Sequence, residues 1–263
     1  MVSSFERIPG VDFRYLWNHP SLGQANNINR LYRQARGERA LLLHDDDLLL
    51  AGAVDVLVAC CVGHADIGAV YGKHMIITAD GRPLPADSDE LNHYYHRTSR
   101  DEGSKLAPIE AGLLQQFPND GFLVETKLAR QIPLQTRDKV GDMCDMDFGV
   151  RLGPIAKRFY FVNQFTAKYR LTSGLTLSAN VTPAHLFRRL DEYPVPAESE
   201  WGRDAALSRL APQAVVEYVN LGERKKAMQL YVSKHHPLRR RLSPGGLRRL
   251  AAIVFDHPKS KTA

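Results

Sequence analysis

A short apolar run that ends in three consecutive aspartates is the feature that most constrains this fold. Residues 40–43 are too few for a helix, and apolar side chains occupy both odd and even positions, as in a strand covered on both faces. After His44 come Asp45, Asp46 and Asp47. Neighbouring carboxylates repel one another, so a fold that orders them usually recruits a cation, hydrogen-bond donors or water. We therefore expect a divalent metal here, with capping of the next helix as the alternative.

The rest of the first two thirds of the chain alternates between strand and helix patterns. Helical spacing of apolar residues covers 25–35 and 51–62, and we expect further helices at 108–116, at 123–131 and from Asp145 onward. The strand patterns cover 13–17, 40–43, 69–71, 75–77, 158–162 and 166–170. This alternation indicates an α/β fold, in which ligands collect beyond the carboxyl ends of strands. The three aspartates stand at such an end.

Two later regions depart from this alternation. Residues 83–108 are polar, and we expect a substrate-facing loop in which the aromatic and histidine residues 93–96 either line an acceptor pocket or pack on one another. After residue 178 only helical patterns remain, at 183–190, 203–221, 224–232 and 245–255. We therefore divide the chain into an α/β domain, 1–178, and a helical basic C-terminal region, 179–263.

Charge is concentrated in that C-terminal region. The net charge is +6, and the basic excess lies after Arg224. Such a region can attract an anionic membrane surface, a phosphorylated substrate or nucleic acid, and the alternative is a solvated basic face with no partner. No recognisable nucleic-acid module accompanies the charge, so we expect no nucleic-acid partner. Apolar runs fall far short of the roughly 20 residues that span a bilayer, and the three cysteines lack a C-x-x-C spacing. We expect a cytoplasmic protein with peripheral contact to the inner face of the plasma membrane, through apolar residues such as Leu247, Leu250 and Ile253.

A second group of acids precedes the apolar run 148–152. It consists of Asp142, Asp145 and Asp147. One of these carboxylates is a candidate general base if the fold brings it opposite the metal. Helix capping is again the alternative, and the spacing alone leaves both open.

Six short segments, taken in order, carry a resemblance to a known family. They read QANNINRL at 24–31, ARGE at 35–38, LLLHDDDLL at 41–49, GAVYG at 68–72, DMDFGVRL at 145–152 and YR at 169–170. In this order and spacing they resemble the family 2 glycosyltransferases, which have a GT-A fold. The resemblance covers roughly residues 8–175.

The resemblance implies a function and a set of site residues. It implies that Asp46 and Asp47 hold Mg²⁺ or Mn²⁺, that Asp45, Asn26 and Asn29 contact a nucleoside-diphosphate sugar, and that Asp145 is the base that activates the acceptor hydroxyl. We also expect Arg151 to orient the helix of Asp145 by pairing with an acid. The implied reaction is an inverting sugar transfer to a cell-surface glycan or a lipid-linked precursor.

Two departures from the family pattern qualify this expectation. Relatives often carry a histidine two residues after the Tyr-Arg pair, where this chain has Thr172. The family domain also begins with a strand-helix-strand unit that binds the nucleotide, and this chain starts downstream of it. We therefore expect an open strand edge and exposed apolar surface, explained by a start assigned too late, by a remnant that has lost catalysis, or by a partner chain that completes the sheet. The alternative function is a noncatalytic interaction protein on the same scaffold.

Overall fold

The computed structural model describes residues 10–140, 144–171 and 183–255 of the chain. In these ranges one mixed sheet has the strand order β1-β4-β3-β5-β2. Its strands are β1 (Arg39–Leu42), β2 (Leu48–Leu49), β3 (Ile67–Ile77), β4 (Phe122–Glu125) and β5 (Arg158–Arg170). Only β3 and β5 run parallel, whereas the pairs β1–β4, β3–β4 and β2–β5 are antiparallel.

Helices cover the sheet and form the part of the chain after residue 183. They are α1 (Gly23–Gln34), α2 (Ala53–Ala59), α3 (Pro85–Tyr94), α4 (Pro108–Leu113), α5 (Thr126–Gln131), α6 (Arg137–Val140), α7 (Cys144–Leu152), α8 (Pro183–Asp191), α9 (Glu200–Asn220), α10 (Arg224–Tyr231), α11 (Leu238–Arg241) and α12 (Pro244–Phe255). The mixture of sheet and helices confirms the α/β prediction at this level. The predicted domain boundary at residue 178 lies outside the described residues.

The two long strands replace what the sequence predicted as four short ones. β3 and β5 continue through polar positions because their pairing shifts register near Lys73, which lets the strands bend without ending. Gly72 lies at this irregularity, and a Cβ there would come within 2.5 Å of Thr166. The close approach of the two backbones thus requires glycine, whose missing side chain also interrupts the strand pattern in the sequence.

Three secondary-structure predictions were wrong. Residues 13–17 form no strand, because no described strand pairs with them and their large apolar side chains remain exposed. Residues 122–125 form β4 rather than helix, since Val124 fills the sheet core between β1 and β3, and α5 begins only at Thr126. The predicted loop 83–108 contains α3, whose buried Ser88 and Asn92 hydrogen-bond the backbone of β3.

The outer edge of β1 is open among the described strands. β1 lies at the end of the strand order and pairs only with β4 among the described strands. It is an edge strand, yet both of its faces are covered as expected, because Ala40 and Leu42 pack in one hydrophobic cluster and Leu41, which points to the opposite face, packs against another. On the helix α2, Leu57 is buried, whereas Val54 and Val58 are exposed.

The helical part shares a hydrophobic core with the α/β part. Buried residues of α4 and α7 pack with buried residues of α8, α9, α10 and α12 in one cluster. A separate aromatic cluster under the sheet surrounds Tyr71, Phe117 and Phe148. α4 and α7 approach so closely that a Cβ on Gly112 would lie 2.6 Å from the carbonyl carbon of Gly149. The helix that carries Asp145 is thus fixed to the rest of the fold through backbone contact.

The described helices include none that is long and apolar enough to cross a membrane.

Candidate active site

The turn after β1 separates the three consecutive aspartates. Asp45 and Asp46 are exposed on this turn, whereas Asp47 is only 5 % exposed. The Asp47 carboxylate is held at the end of β5, because its Oδ1 accepts a hydrogen bond of 2.7 Å from the backbone N–H of Arg170. The Arg170 guanidinium donates through Nε to the backbone carbonyl of Asp46 at 2.8 Å, which fixes the turn from outside. One carboxylate of the three is therefore ordered inside the protein.

A second buried carboxylate, Asp120, comes from the turn before β4. It is 1 % exposed, and its Oδ2 accepts a hydrogen bond of 3.2 Å from the backbone N–H of His44. The next residue, Gly121, has a φ of +65° and donates to the carbonyl of Leu42 at 2.8 Å. This left-handed position favours glycine and turns the chain so that Asp120 points back at the end of β1. In the sequence, Asp120 stands in the segment PNDG at 118–121, which by itself is equally typical of an ordinary turn.

His44, Asp47 and Asp120 together form what we call the carboxylate–histidine cluster. One ligand atom from each residue lies within 4.8 Å of the others. Asp120 Oδ1 and His44 Nε2 are buried, and neither has a hydrogen-bond partner among the described residues. Buried polar atoms without partners are costly, and two carboxylates with an imidazole are a common donor set for a divalent metal. The residues present thus fit a metal ion.

The raised pKa values of the two buried carboxylates, Asp47 and Asp120, also favour a bound cation. Burial raises the pKa of Asp47 well above its ordinary value, and the neighbouring charges of Asp120 and Asp46 raise it further. Burial also raises the pKa of Asp120, and the charge of Asp145 adds to this. Without a cation the buried pair resists carrying two negative charges near neutral pH. A divalent ion would relieve that repulsion.

Asp145 lies at the beginning of α7, within electrostatic reach of the cluster. Burial raises the pKa of Asp145, while His44 and the Cys144 thiol lower it. The charge of Asp145 in turn raises the pKa of Asp120 and of Tyr169. Its neighbour Asp147 has a different environment, since it forms ion pairs with Arg151 at 2.6 Å and Arg189 at 3.6 Å. The predicted pairing of Arg151 with an acid is confirmed, and Asp142 lies outside the described residues.

Two aromatic rings, one from β3 and one from β5, stack beside the carboxylate–histidine cluster. His74 and Tyr169 stack with their ring centroids 6.2 Å apart. Burial lowers the pKa of His74 to about 3, so the ring is neutral, and its Nε2 lies 3.2 Å from the backbone carbonyl of Asp120. Burial raises the pKa of Tyr169, to which the charges of Asp47, Asp120 and Asp145 contribute. All three carboxylates therefore influence Tyr169 electrostatically.

The two predicted asparagines of α1 have other partners. The buried Asn29 side chain exchanges two hydrogen bonds with the backbone of Leu134, at 2.8 and 2.9 Å. Its amide thus joins α1 to the segment before α6, and the contact of Asn29 with a sugar nucleotide stays a prediction. The exposed Asn26 donates to the carbonyl of Leu22 at 3.1 Å. Thr172, the departure noted after the Tyr-Arg pair, lies outside the described residues.

The aromatic residues 93–96 pack on the helical part. The rings of Tyr94 and Tyr95 meet edge to face, with centroids 5.0 Å apart. The Arg209 guanidinium of α9 lies 5.0 Å from the centroid of Tyr94 and donates to the carbonyl of Leu114 at 3.0 Å. The sequence leaves two alternatives for residues 93–96, an acceptor pocket or packing on one another. In the structure Tyr94 and Tyr95 pack on one another and on Arg209.

Comparisons with known proteins relate the fold, but not the sequence, to a glycosyltransferase. No protein-family model and no curated protein matches the sequence. Among solved structures, residues 1–349 of S. aureus TarS, a glycosyltransferase, in complex with UDP match with a TM-score of 0.50 and 14 % identity, covering 87 % of this chain and 69 % of that one. Two further TarS structures match with TM-scores of 0.46 and 0.49, at 12 % and 14 % identity. Both of these alignments include 87 % of this chain, but only 59 % and 42 % of the two TarS chains, which is less than two thirds of their length. At such identity the likeness concerns the fold alone, which is that of a glycosyltransferase.

Proposed function

We propose that this protein is a metal-dependent glycosyltransferase that moves a sugar from a nucleoside diphosphate to a hydroxyl of a cell-surface glycan or its lipid-linked precursor. The observation that carries this proposal is the convergence of His44, Asp47 and Asp120 at the ends of β1 and β5, with Asp145 beside them. The fold likeness to TarS, whose structure contains UDP, supports a nucleoside diphosphate as the ligand.

His44, Asp47 and Asp120 would hold the metal ion. The original expectation of Asp46 and Asp47 is thereby revised, because Asp46 is exposed and is not a member of the cluster. Carboxylates suit Mg²⁺ and Mn²⁺ alike, but an imidazole ligand is rare for Mg²⁺, so we propose Mn²⁺ as the better-bound ion. When bound, the metal supplies positive charge that stabilises the departing diphosphate. The exposed Asp45 remains our proposed contact to the donor.

Asp145 would act as the general base. Its carboxylate accepts the proton of the acceptor hydroxyl while that oxygen attacks the anomeric carbon of the donor sugar. The bond from this carbon to the diphosphate oxygen breaks, and its electron pair leaves with the diphosphate. Attack from the opposite face inverts the anomeric configuration. Burial raises the pKa of Asp145 above its ordinary value, which is the direction that makes a carboxylate a stronger base.

Metal binding provides the first test. Titration calorimetry with MnCl₂ alone should show one bound ion for the native protein, weaker binding of Mg²⁺, and a loss of at least tenfold in affinity for Asp120→Asn. Asp89→Asn is the matched control, because Asp89 is an exposed acid on α3. Equal Mn²⁺ affinity for Asp120→Asn and Asp89→Asn would show that the cluster is not the metal site.

Turnover provides the second test. Release of nucleoside diphosphate from a panel of sugar nucleotides should require Mn²⁺ and fall by about 10²–10⁴-fold in Asp145→Asn, the range attributed to a general base. Asp145→Asn should retain Mn²⁺ binding, whereas Asp47→Asn should lose both. Turnover that survives in Asp145→Asn would exclude Asp145 as the base.

A noncatalytic interaction protein remains the second candidate, favoured by the open outer edge of β1 and by the exposed apolar residues of the segment before α1. Under this alternative a partner chain would pair with the edge. Mn²⁺ binding with neither UDP binding nor turnover would favour the interaction protein over the transferase.

A further inference from the structure

The surface of α11 and α12 combines positive charge with exposed apolar side chains. Residues 224–255 contain nine lysines and arginines and no acid. Some of these cations have partners inside the protein: Lys226 pairs with Glu223 at 2.8 Å, and Lys234 pairs with Asp204 at 3.1 Å. Arg241 donates to backbone carbonyls that include that of Val232 at 2.9 Å. The charges of these three residues are thus at least partly satisfied within the protein.

Two arginines of these helices face outward. Arg239 on α11 and Arg248 on α12 are exposed, and neither forms an ion pair with the described part of the chain. Their neighbour Arg240 is also exposed, although its guanidinium donates to the carbonyl of Ser208. The positive charge at this surface is thus available to an external anion.

Large apolar side chains are exposed among these arginines. Leu238 is 64 % exposed and Phe255 is 77 % exposed. The complete set of exposed large apolar residues on these helices and the turn between them is Leu238, Leu242, Leu247, Val254 and Phe255. Of the three residues that the sequence predicts at the membrane, Leu247 is exposed, whereas Ile253 is buried and Leu250 packs against the helical core.

The spacing of the residues explains this surface. On α12, Leu247 and Val254 lie seven residues apart and therefore on one face, while Gly246 and Ile253 repeat the same spacing on the buried face. Leu238 and Leu242 are four residues apart, so they too share a face. Each apolar face stands beside an exposed arginine, Arg239 or Arg248.

We propose that this surface, comprising Leu238, Arg239, Leu242, Leu247, Arg248 and Phe255, docks onto an anionic lipid bilayer. Arginines alone would suit any polyanion, but nucleic acid makes little use of exposed leucine and phenylalanine on a helix face. A bilayer uses both, since the cations meet lipid headgroups while the apolar side chains enter the acyl boundary. Docking requires no sugar nucleotide, so it stands or falls separately from the proposed transfer reaction.

Vesicle co-sedimentation of the full chain tests this proposal. Binding to phosphatidylcholine vesicles that contain about 30 % phosphatidylglycerol should exceed binding to pure phosphatidylcholine by at least tenfold. Arg239→Gln combined with Arg248→Gln should weaken binding about 25-fold, because each cation near the surface contributes about fivefold. Leu247→Ser and Phe255→Ser should each weaken it about tenfold.

Two control variants separate this surface from general properties of the protein. Leu221→Ser removes an exposed leucine at the end of α9, and Lys157→Gln removes an exposed cation before β5. Both should bind vesicles like the native chain, and circular dichroism should show that every variant is folded. Failure of the native chain to bind anionic vesicles at low salt overturns the proposal. So does tight, salt-sensitive binding to duplex DNA that is unaffected by Leu247→Ser, which would identify a nucleic-acid surface instead.

Discussion

Substituting alanine at two helical glycines should change stability in opposite directions. Propensity alone predicts that Gly→Ala in a helix stabilises by up to about 1 kcal/mol. At Gly112 of α4, however, the new Cβ would lie 2.6 Å from backbone atoms of Gly149 and Val150, about 0.8 Å inside van der Waals contact. At Gly202 of α9 the nearest atoms are 3.7 Å away, at ordinary contact distance.

The backbone contact at Gly112 decides the outcome there. No flexible side chain can move aside, so α4 and α7 must separate, and overpacking of this kind costs roughly 1–3 kcal/mol. We expect Gly112→Ala to lose about 2 kcal/mol and, at roughly 2–4 °C per kcal/mol for a chain of this size, about 4–8 °C in Tm. Gly202→Ala should gain about 0.5–1 kcal/mol.

Thermal unfolding followed by circular dichroism, with urea titration for the free energy, measures both variants under the same conditions. If Gly112→Ala is stabilised as much as Gly202→Ala, the close approach of α4 and α7 is wrong. Because α7 carries Asp145, Gly112→Ala should also reduce turnover, whereas Gly202→Ala should leave it unchanged.

Three further predictions concern buried polar groups. In metal-free protein at pH 8, Asp47→Asn should stabilise the fold by roughly 1–3 kcal/mol, because burial raises the folded pKa of Asp47 to about 7 and its ionisation therefore destabilises the native state as the pH rises from about 4 to 7. The control Asp46→Asn should change Tm little. A stability gain for Asp47→Asn that persists at pH 4 would contradict this explanation. Burial lowers the pKa of His74 to about 3, so lowering the pH from 7 to 5 should cost about 2 kcal/mol through this residue, and urea titrations of His74→Gln should show a flatter acid limb. The two carboxylate oxygens of Glu110 accept hydrogen bonds from Trp201 Nε1 at 2.9 Å and from the backbone N–H of Ala107 at 2.9 Å. In Glu110→Gln an NH₂ group replaces one of these acceptors, so one hydrogen bond is lost and the free energy of unfolding should fall by about 1–3 kcal/mol. Urea titration measures this loss, and the fluorescence of Trp201 should change.

Helix periodicity carried most of the correct prediction of the fold. α1 and α7 were predicted within a few residues because their apolar positions repeat at helical spacing, and the same holds for α8, α9, α10 and α12, whereas the short α11 was not predicted. Which face of α12 is buried could not be predicted, because the choice between Leu247 and Leu250 depends on where α9 and α10 lie. A single helix pattern contains no information about its neighbours.

The strands were harder, and the candidate site depended on them. β4 has only four residues, and its buried side chains look like the start of the helix that follows. Without β4 there was no reason to bring Asp120 to the end of β1, so it resembled a surface turn. The signal that could have found it is the pair Asp120-Gly121 directly before an apolar run, a turn that returns the chain along a neighbouring strand.

His44 and Asp46 show that residues adjacent in the sequence need not share one environment or one role. The triplet was identified correctly as an electrostatic feature, but burial separates its members, since only Asp47 is held by the backbone of Arg170. His44 was visible in the sequence between the apolar run and the aspartates, and its role emerges only from its proximity to Asp120. Long-range contacts of this kind cannot be inferred from spacing along the chain.

The distance along the chain between the cluster residues has a consequence for the time course of folding. His44 and Asp120 are separated by 76 residues, and Asp47 and Arg170 by 123. Such contacts close late, after β1, β4, β3 and β5 have assembled, because loop closure over long separations is entropically unfavourable. An ion bound by this cluster would therefore stabilise the native state but not the transition state. Added Mn²⁺ should slow unfolding and leave the refolding rate unchanged. The metal would therefore stabilise the sheet after it has formed and would take no part in its nucleation.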